Sequence, residues 1–516
     1  MGAERERDKL KFDVVAEVEK KKDLLIETAD YIWDHPELGF KEFQCAQKLQ
    51  EVLRAEGFQL ETGLGHITTA FSGRFGSGRP VIGILGEFDA LMNLSQKAGV
   101  THQESAGGLC GHGCGHNLLG VGSLGAALAV KAYLETTGAS GTVIYFGCPA
   151  EENGSAKAFL ARDGVFDALD AALSWHPADT TGVRNLTTLA NCKVLYRFDG
   201  VAAHASIQPH LGRSALDAVE LMNVGANFLR EHIIDAARIH YAVTDAGGNA
   251  PNVVQSHAEV LYLMRAPQNA DVADIYERVN NIAAGAALMT GTTVSRVFIK
   301  GCSNTVLNQT IERVLYKYLL EIGAPQPDAA DLAFARKMTE EALGQFPNDL
   351  EHPIHYEVKP YDGSAAAGKG STDVGDVSWV CPTAQIMAAT HTYGTPNHSW
   401  QQVAQGKAPL AHKTMLFVSK VLAATAVELM ADPALLEQAR QEHRKRIGKG
   451  YICPIPPDVR PGTIPHGQRS THAAPARNDR QGEDAEEVIF VYDPHLRYNK
   501  EEWTDANTFP GVIQKL

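Results

Sequence analysis

Between Asp8 and about Glu56 apolar positions recur at spacings of three and four, with a break at His35-Pro36-Glu37-Leu38-Gly39, which predicts two amphipathic helices joined by a turn. The pattern then changes to short apolar runs closed by glycine or polar residues, at Val81 to Leu85, Thr142 to Cys148 and Ala171 to Trp175, with helical periodicity between them. Parallel strands need a crossover before the next strand can pair, so this alternation predicts a mostly parallel sheet with helices on both faces. The expected fold class is α/β.

From 187 to 305 the order differs: strand Lys193 to Phe198, helix Gly212 to Glu231, strand Arg238 to Thr244, strand Ala258 to Arg265, helix Ala270 to Met289, strand Thr293 to Lys300. That is the βαββαβ order of a ferredoxin-like module. Helical and buried-strand patterns resume over 306–457, so we expect a discontinuous catalytic domain, 1–186 and 306–457, interrupted by an inserted module at 187–305. The extension 458–516 is poor in aliphatic residues and is expected to be partly flexible, with Val488 to Tyr492 as a late strand.

Composition narrows the function classes. A chain of 516 residues, 44% hydrophobic, has room for several domain-sized units. With 47 basic and 61 acidic residues the net charge is −14, which offers nothing to a phosphate backbone or an anionic bilayer, so neither nucleic acid nor membrane is an expected partner. The apolar run Leu118 to Val130 stops at Lys131, short of the ~20 residues a bilayer demands, and no membrane span is expected. The first residues, MGAERERDKLKF, lack the apolar region of a secretory signal, and the 8 cysteines are thinly spread. Reduced thiols and a cytoplasmic location follow as expectations.

The densest candidate for chemistry is Cys110-Gly-His112-Gly-Cys114-Gly-His116-Asn117, in which sulfur and imidazole donors alternate with glycines that let the backbone fold tightly. A metal loop, catalytic or structural, competes here with a glycine-rich turn holding core cysteines. Further donors fall at the ends of the expected strands, where open α/β sheets place their ligands: Glu87-Phe88-Asp89, Glu151-Glu152 and His176-Pro177. Each alone reads equally well as a turn carboxylate, a dipole-favoured glutamate or a strand-capping histidine; together they point to one site. Neighbouring Glu151 and Glu152 cannot point the same way, which suits a division between metal ligand and proton acceptor. The stretch His391 to His398 supplies a further histidine, either of which reads also as a core residue. Gly363 to Lys369 has phosphate-loop spacing, but Gly370 stands where a hydroxyl is needed, and there is no G-x-S-x-G elbow for a serine hydrolase.

In GHGCGHNLLG, PAEENGSAKAFL, WHP, PHLGRSALDAVELMN and ATHTYGTPNHSW, in that order, the chain resembles the metallo-aminoacylase and exopeptidase family, and within it the amidohydrolase branch. The resemblance implies two divalent ions, manganese or zinc, held by Cys114, His116, Glu152, His176 and His398, with Cys114 bridging. It implies Glu151 as general base and Asp89 as the residue orienting a ligand; Glu87 stands where much of the family has a histidine. His204, in Gly200-Val-Ala-Ala-His204-Ala, would reach a partner subunit's site and polarise the scissile carbonyl. Asn252 and Arg265 would hold a substrate carboxylate, and Asp373 would line the pocket. The reaction implied is hydrolysis of the amide bond of a small N-acyl amino acid, p-aminobenzoyl-glutamate first. A dipeptidase or carboxypeptidase, and a binding or scaffolding subunit, are the alternatives. The assembly implied is a homodimer through the inserted module, acting as a lid, or a hetero-oligomer with a homologous subunit.

Overall fold

The structure, a computed structural model, describes residues 13–462. Its centre is an eight-stranded mixed sheet, in the order Gln59–Thr62, Phe71–Ser77, Gly141–Cys148, Val81–Glu87, Ala171–Ala178, Thr383–Ala389, Thr180–Val183 and His355–Val358. The four strands from Gly141–Cys148 to Thr383–Ala389 run parallel. Three of them, Gly141–Cys148, Val81–Glu87 and Ala171–Ala178, are the short apolar runs expected from the sequence, and Thr383–Ala389 is not among those expected; every residue of Val81–Glu87 and Gly141–Cys148 is buried, because helices cover both faces.

On one face Ile82, Ile84, Tyr145, Leu173 and Trp175 pack with helices His116–Thr137, Pro409–Ala431, Lys22–Asp34 and Phe43–Ala55. The first two helices are long and apolar enough to cross a membrane, but they are core helices, with 89% and 78% of their apolar windows buried. Gly122 lets the first lie almost on the sheet: a Cβ there would meet the Trp175 ring at 2.9 Å, and Trp175 Nε1 donates to Leu119 O at 3.0 Å. On the other face Val81, Leu85, Ile144, Phe146 and Ala172 pack with Ala156–Arg162 and Val374–Val380.

The N-terminal region forms three helices within the described residues rather than two, because Lys21 breaks the first pattern into Val14–Lys20 and Lys22–Asp34. Residues 190–302 form a separate antiparallel sheet in the order Arg238–Asp245, His257–Ala266, Ala190–Asp199, Thr293–Cys302. Helices Ala215–Leu229 and Asn269–Thr290 pack on one side of it. Where the chain enters and leaves this sheet, Thr188 N donates to Thr305 Oγ1 at 2.9 Å and Thr305 N donates to Thr188 Oγ1 at 3.1 Å. The start of the extension expected to be partly flexible is held by Arg162 Nη1, which donates to Val459 O and, just before it, to Pro456 O. Val488 to Tyr492 lies outside the described residues.

Candidate metal centre

Register aligns the carboxyl ends of the parallel strands. Glu87 lies opposite Cys148, three residues before Glu151, and His176 lies opposite Met387. The turn after Cys148 is sharp: Ala150 and Ser155, which bracket the short helix Glu151–Gly154, both have left-handed backbones, φ 53° and 52°. Two non-glycine residues in that region store strain that the surroundings must hold. Buried Glu42 does part of this, its carboxylate accepting from Ala150 N at 2.8 Å and from Thr69 Oγ1 at 2.9 Å.

Of the four donors in the glycine-rich loop, two face the strand ends. Cys110 pairs with Met92 in a two-residue strand, and His112 turns inward, Nε2 to Ile32 O at 3.0 Å. Burial lowers His112 to about 4, so it stays neutral as a structural residue. Cys114 and His116 flank Gly115, which caps the start of helix His116–Thr137 with a φ of 76°. The loop holding His398 docks onto them through His398 N, which donates to Gly113 O at 2.9 Å. His391 is buried apart from these donors, its Nδ1 3.0 Å from Thr390 Oγ1.

The ligand-type atoms fall into overlapping clusters. Those of Cys114, His116 and His176 lie within 4.8 Å of one another, as do those of Cys114, Glu152 and His398, and those of Glu87, His116 and Glu151. Cys114 belongs to the first two, as a bridging ligand would. The imidazoles are oriented from behind: His116 Nδ1 donates to Asp89 Oδ1 at 2.8 Å and His176 Nδ1 donates to Pro177 O at 2.7 Å, so both Nε2 atoms are directed at the cluster. Asp89 also accepts from Glu152 N at 3.0 Å, so one carboxylate sets two neighbouring donors.

The residues fit divalent ions. His116 Nε2 and Glu152 Oε1 are buried with no hydrogen-bond partner among the described residues, although Glu87 Oε2 and His398 Nε2 lie 3.3 and 3.2 Å from them. Burial and the charges of Arg184 and His116 lower His176 to about 3, leaving its Nε2 lone pair free for a cation. Burial opposes the charge on Glu152, but the nearby His398 imidazole and the charge of His116 hold it below the usual carboxylate range. Glu151 goes the other way: burial, then the charges of Glu87, Glu152 and Asp373, push it up to about 8. Two adjacent carboxyls with opposed proton affinities are what a ligand and a proton carrier require. His398 is half exposed, so the cluster opens to solvent on its side.

Lys157, which sequence reasoning passed over, is fully buried behind this row. Its Nζ lies 2.7 Å from both Glu87 Oε1 and Asp373 Oδ1, and its N donates to Asp373 Oδ2 at 3.0 Å. Asp373, expected to line the pocket, therefore turns its carboxylate to Lys157. His204 belongs to none of these clusters, and it and Asn252 are exposed on adjoining loops where Ala205 N donates to Asn252 O at 2.9 Å. Arg265 is half-buried on the second sheet, its Nε without a partner among the described residues.

The profile of peptidase family M20/M25/M40 matches residues 83–462. The chain belongs to that family. This M20 chain is 48% identical over 461 residues to one of the subunits of p-aminobenzoyl-glutamate hydrolase of Escherichia coli (strain K12), covering 84% of the chain and 95% of that protein. It is 28% identical to the Xaa-Arg dipeptidase of Mus musculus over 81% of the chain and 88% of that protein. Its fold is that of a Bacillus subtilis M20 peptidase described as dinuclear metal binding, with TM-score 0.52 and 17% identity over 80% of the chain and 99% of that structure. The M20 chain is accordingly a metal-dependent hydrolase of amide bonds.

Proposed function

We propose that this enzyme hydrolyses the amide bond of p-aminobenzoyl-glutamate, giving p-aminobenzoate and glutamate. The observation that carries the reading is the donor set built around Cys114, with Glu151 beside it at a proton affinity opposite to that of Glu152. The identity to the Escherichia coli protein supports the substrate. Cys114, His116 and His176 would hold one ion and Cys114, Glu152 and His398 the other, manganese or zinc. Divalent cations so held acidify water and polarise a carbonyl.

Glu151 takes the proton as the water oxygen bonds to the amide carbon, then gives it to the nitrogen as the C–N bond breaks. Oxygen ends in the new carboxylate and the proton on the amine. Asp89 keeps His116 and Glu152 in place throughout. His204 is the donor for the carbonyl oxygen: its Nδ1 accepts from Ser206 N and Ile207 N at 3.3 Å, which fixes the proton of the neutral ring on the outward Nε2. Exposed on its own chain, it acts in the site of a partner subunit, while Asn252 and Arg265 take the substrate's α-carboxylate.

The partner, a second copy or a homologous subunit, binds through the 190–302 sheet and its helices. Phe228, Leu288 and Met289 there are 67–75% exposed, and strand Arg238–Asp245 is an edge whose outer side no strand pairs among the described residues. All 8 cysteines are unpaired, which supports a reducing compartment such as the cytoplasm. Elemental analysis of protein purified without chelator, combined with glutamate release from p-aminobenzoyl-glutamate, tests the whole reading. Two metal equivalents per chain with release is the expected result; no stoichiometric metal under manganese or zinc loading overturns it.

A further inference from the structure

The face of the second sheet that its helices leave uncovered carries a row of cations. Along strand Ala190–Asp199, Cys192 and Val194 are buried toward the helices, so the alternating Asn191 and Lys193 project from the opposite face. Register places Arg265 opposite Asn191 and Lys300 opposite Lys193. Like charges directly opposite each other on a sheet repel, and both lysines are half-buried, which removes some of the water that would screen them.

None of Lys193, Lys300 and Arg265 is paired with a carboxylate among the described residues. Lys300 Nζ donates instead to the backbone carbonyl of Glu152 at 3.0 Å, which sets this end of the row against the metal cluster. Nearby, Asn191 Oδ1 and Arg265 Nε are buried without partners among the described residues. Burial and the charge of Lys300 lower the affinity of Lys193 for its proton. Half-buried cations that repel one another beside a reaction centre, with no acid to offset them, are arranged for an anionic ligand.

On the reading proposed above, Arg265 is engaged by the α-carboxylate of the amino-acid half, and the lysines remain. We propose that Lys193 and Lys300 form a second carboxylate subsite, selecting substrates whose released amino acid is acidic. The inference rests on the amidohydrolase reading for the substrate's position and goes beyond it in naming the residues that select the acidic side chain. Two ammonium groups acting on one carboxylate favour glutamate strongly over glutamine, which matches it in shape but carries no charge.

The test is calorimetric titration of the metal-loaded, full-length protein with L-glutamate and L-glutamine, neither of which is an amide the proposed reaction would cleave at its α-nitrogen. Wild type should bind glutamate at least about tenfold more tightly than glutamine. Lys193→Met and, separately, Lys300→Met should erase most of that preference, while Lys193→Arg, which restores the charge, should keep it. Equal binding of the two ligands by wild type, or a preference that survives both methionine variants, overturns the subsite. Intact preference with no hydrolysis of p-aminobenzoyl-glutamate would overturn the proposed reaction and leave the subsite standing, so the two failures are distinguishable.

Discussion

Glu151 and Glu152 differ by one position and have opposite tasks, so their substitutions should separate. Glu151→Gln keeps the shape and removes the proton carrier; it should retain metal and lose at least about a hundredfold in kcat, the usual scale of general acid–base catalysis. Retained turnover would remove Glu151 from the mechanism. Cys114→Ser exchanges a shared soft ligand for a hard and weaker one, and should lower the metal content measured by elemental analysis. Unchanged occupancy would show that Cys114 does not bridge.

Asp376 offers a test that no metal complicates. It accepts from Ser303 N, Ser303 Oγ and Tyr451 OH at 3.0, 2.7 and 2.9 Å, yet burial raises it to about 7. The folded chain then keeps a proton that the unfolded chain releases above roughly pH 4, so this contribution is complete below that pH and is lost as pH rises through about 7. Asp376→Asn should therefore gain on wild type by about 2 kcal/mol between about pH 5 and pH 7.5 in chemical denaturation, since each tenfold change in proton affinity is worth ~1.4 kcal/mol. A pH-independent difference would mean that the folded chain ionises Asp376 normally.

At the scale of elements, helix Ala156–Arg162 marks the limit of what sequence discloses. Strands Val81–Glu87, Gly141–Cys148 and Ala171–Ala178 were legible as short apolar runs because helices bury them, and Glu87, Glu151, Glu152 and His176 stood out as candidates because they follow those runs; Thr383–Ala389, with its polar Thr383 and Gln385, was not legible. Strands Phe71–Ser77 and Thr180–Val183 were not, being short or half polar at the margins of the sheet. Within AKAFLAR a lysine reads as a solvated position, and nothing local announces that Lys157 meets Asp373, 216 residues away, and Glu87. Likewise nothing in the loop CGHGCGH separates Cys114 and His116 from Cys110 and His112; that choice is made by Gly115 and by the docking of Gly113 against His398. Lys157→Met would leave two buried carboxylates unpaired and should cost about 3–5 kcal/mol, read as a lowered denaturation midpoint. An unchanged midpoint would show that water reaches Glu87 and Asp373 and that the lysine does not hold the row together.

At the scale of the whole molecule the question is whether one chain makes a complete site. His204 is exposed, its Nδ1 accepting from backbone N–H groups so that Nε2 is left as the donor, and it belongs to none of the ligand clusters around Cys114. A donor built in this way and left facing solvent makes physical sense if a second subunit presents its centre to it. Two inactive variants then discriminate. In a mixture of Glu151→Gln and His204→Ala chains, each mixed dimer would contain one site with an intact Glu151 and an intact His204 from its partner, and one site lacking both. With random exchange of subunits half the dimers are mixed, so about a quarter of wild-type activity should return. If His204 served its own chain, every site in every dimer would lack one of the two groups and mixing would restore nothing. Recovery that depends on subunit exchange, absent when the variants are assayed immediately after mixing and growing with incubation, would locate the active unit at the interface rather than within the chain.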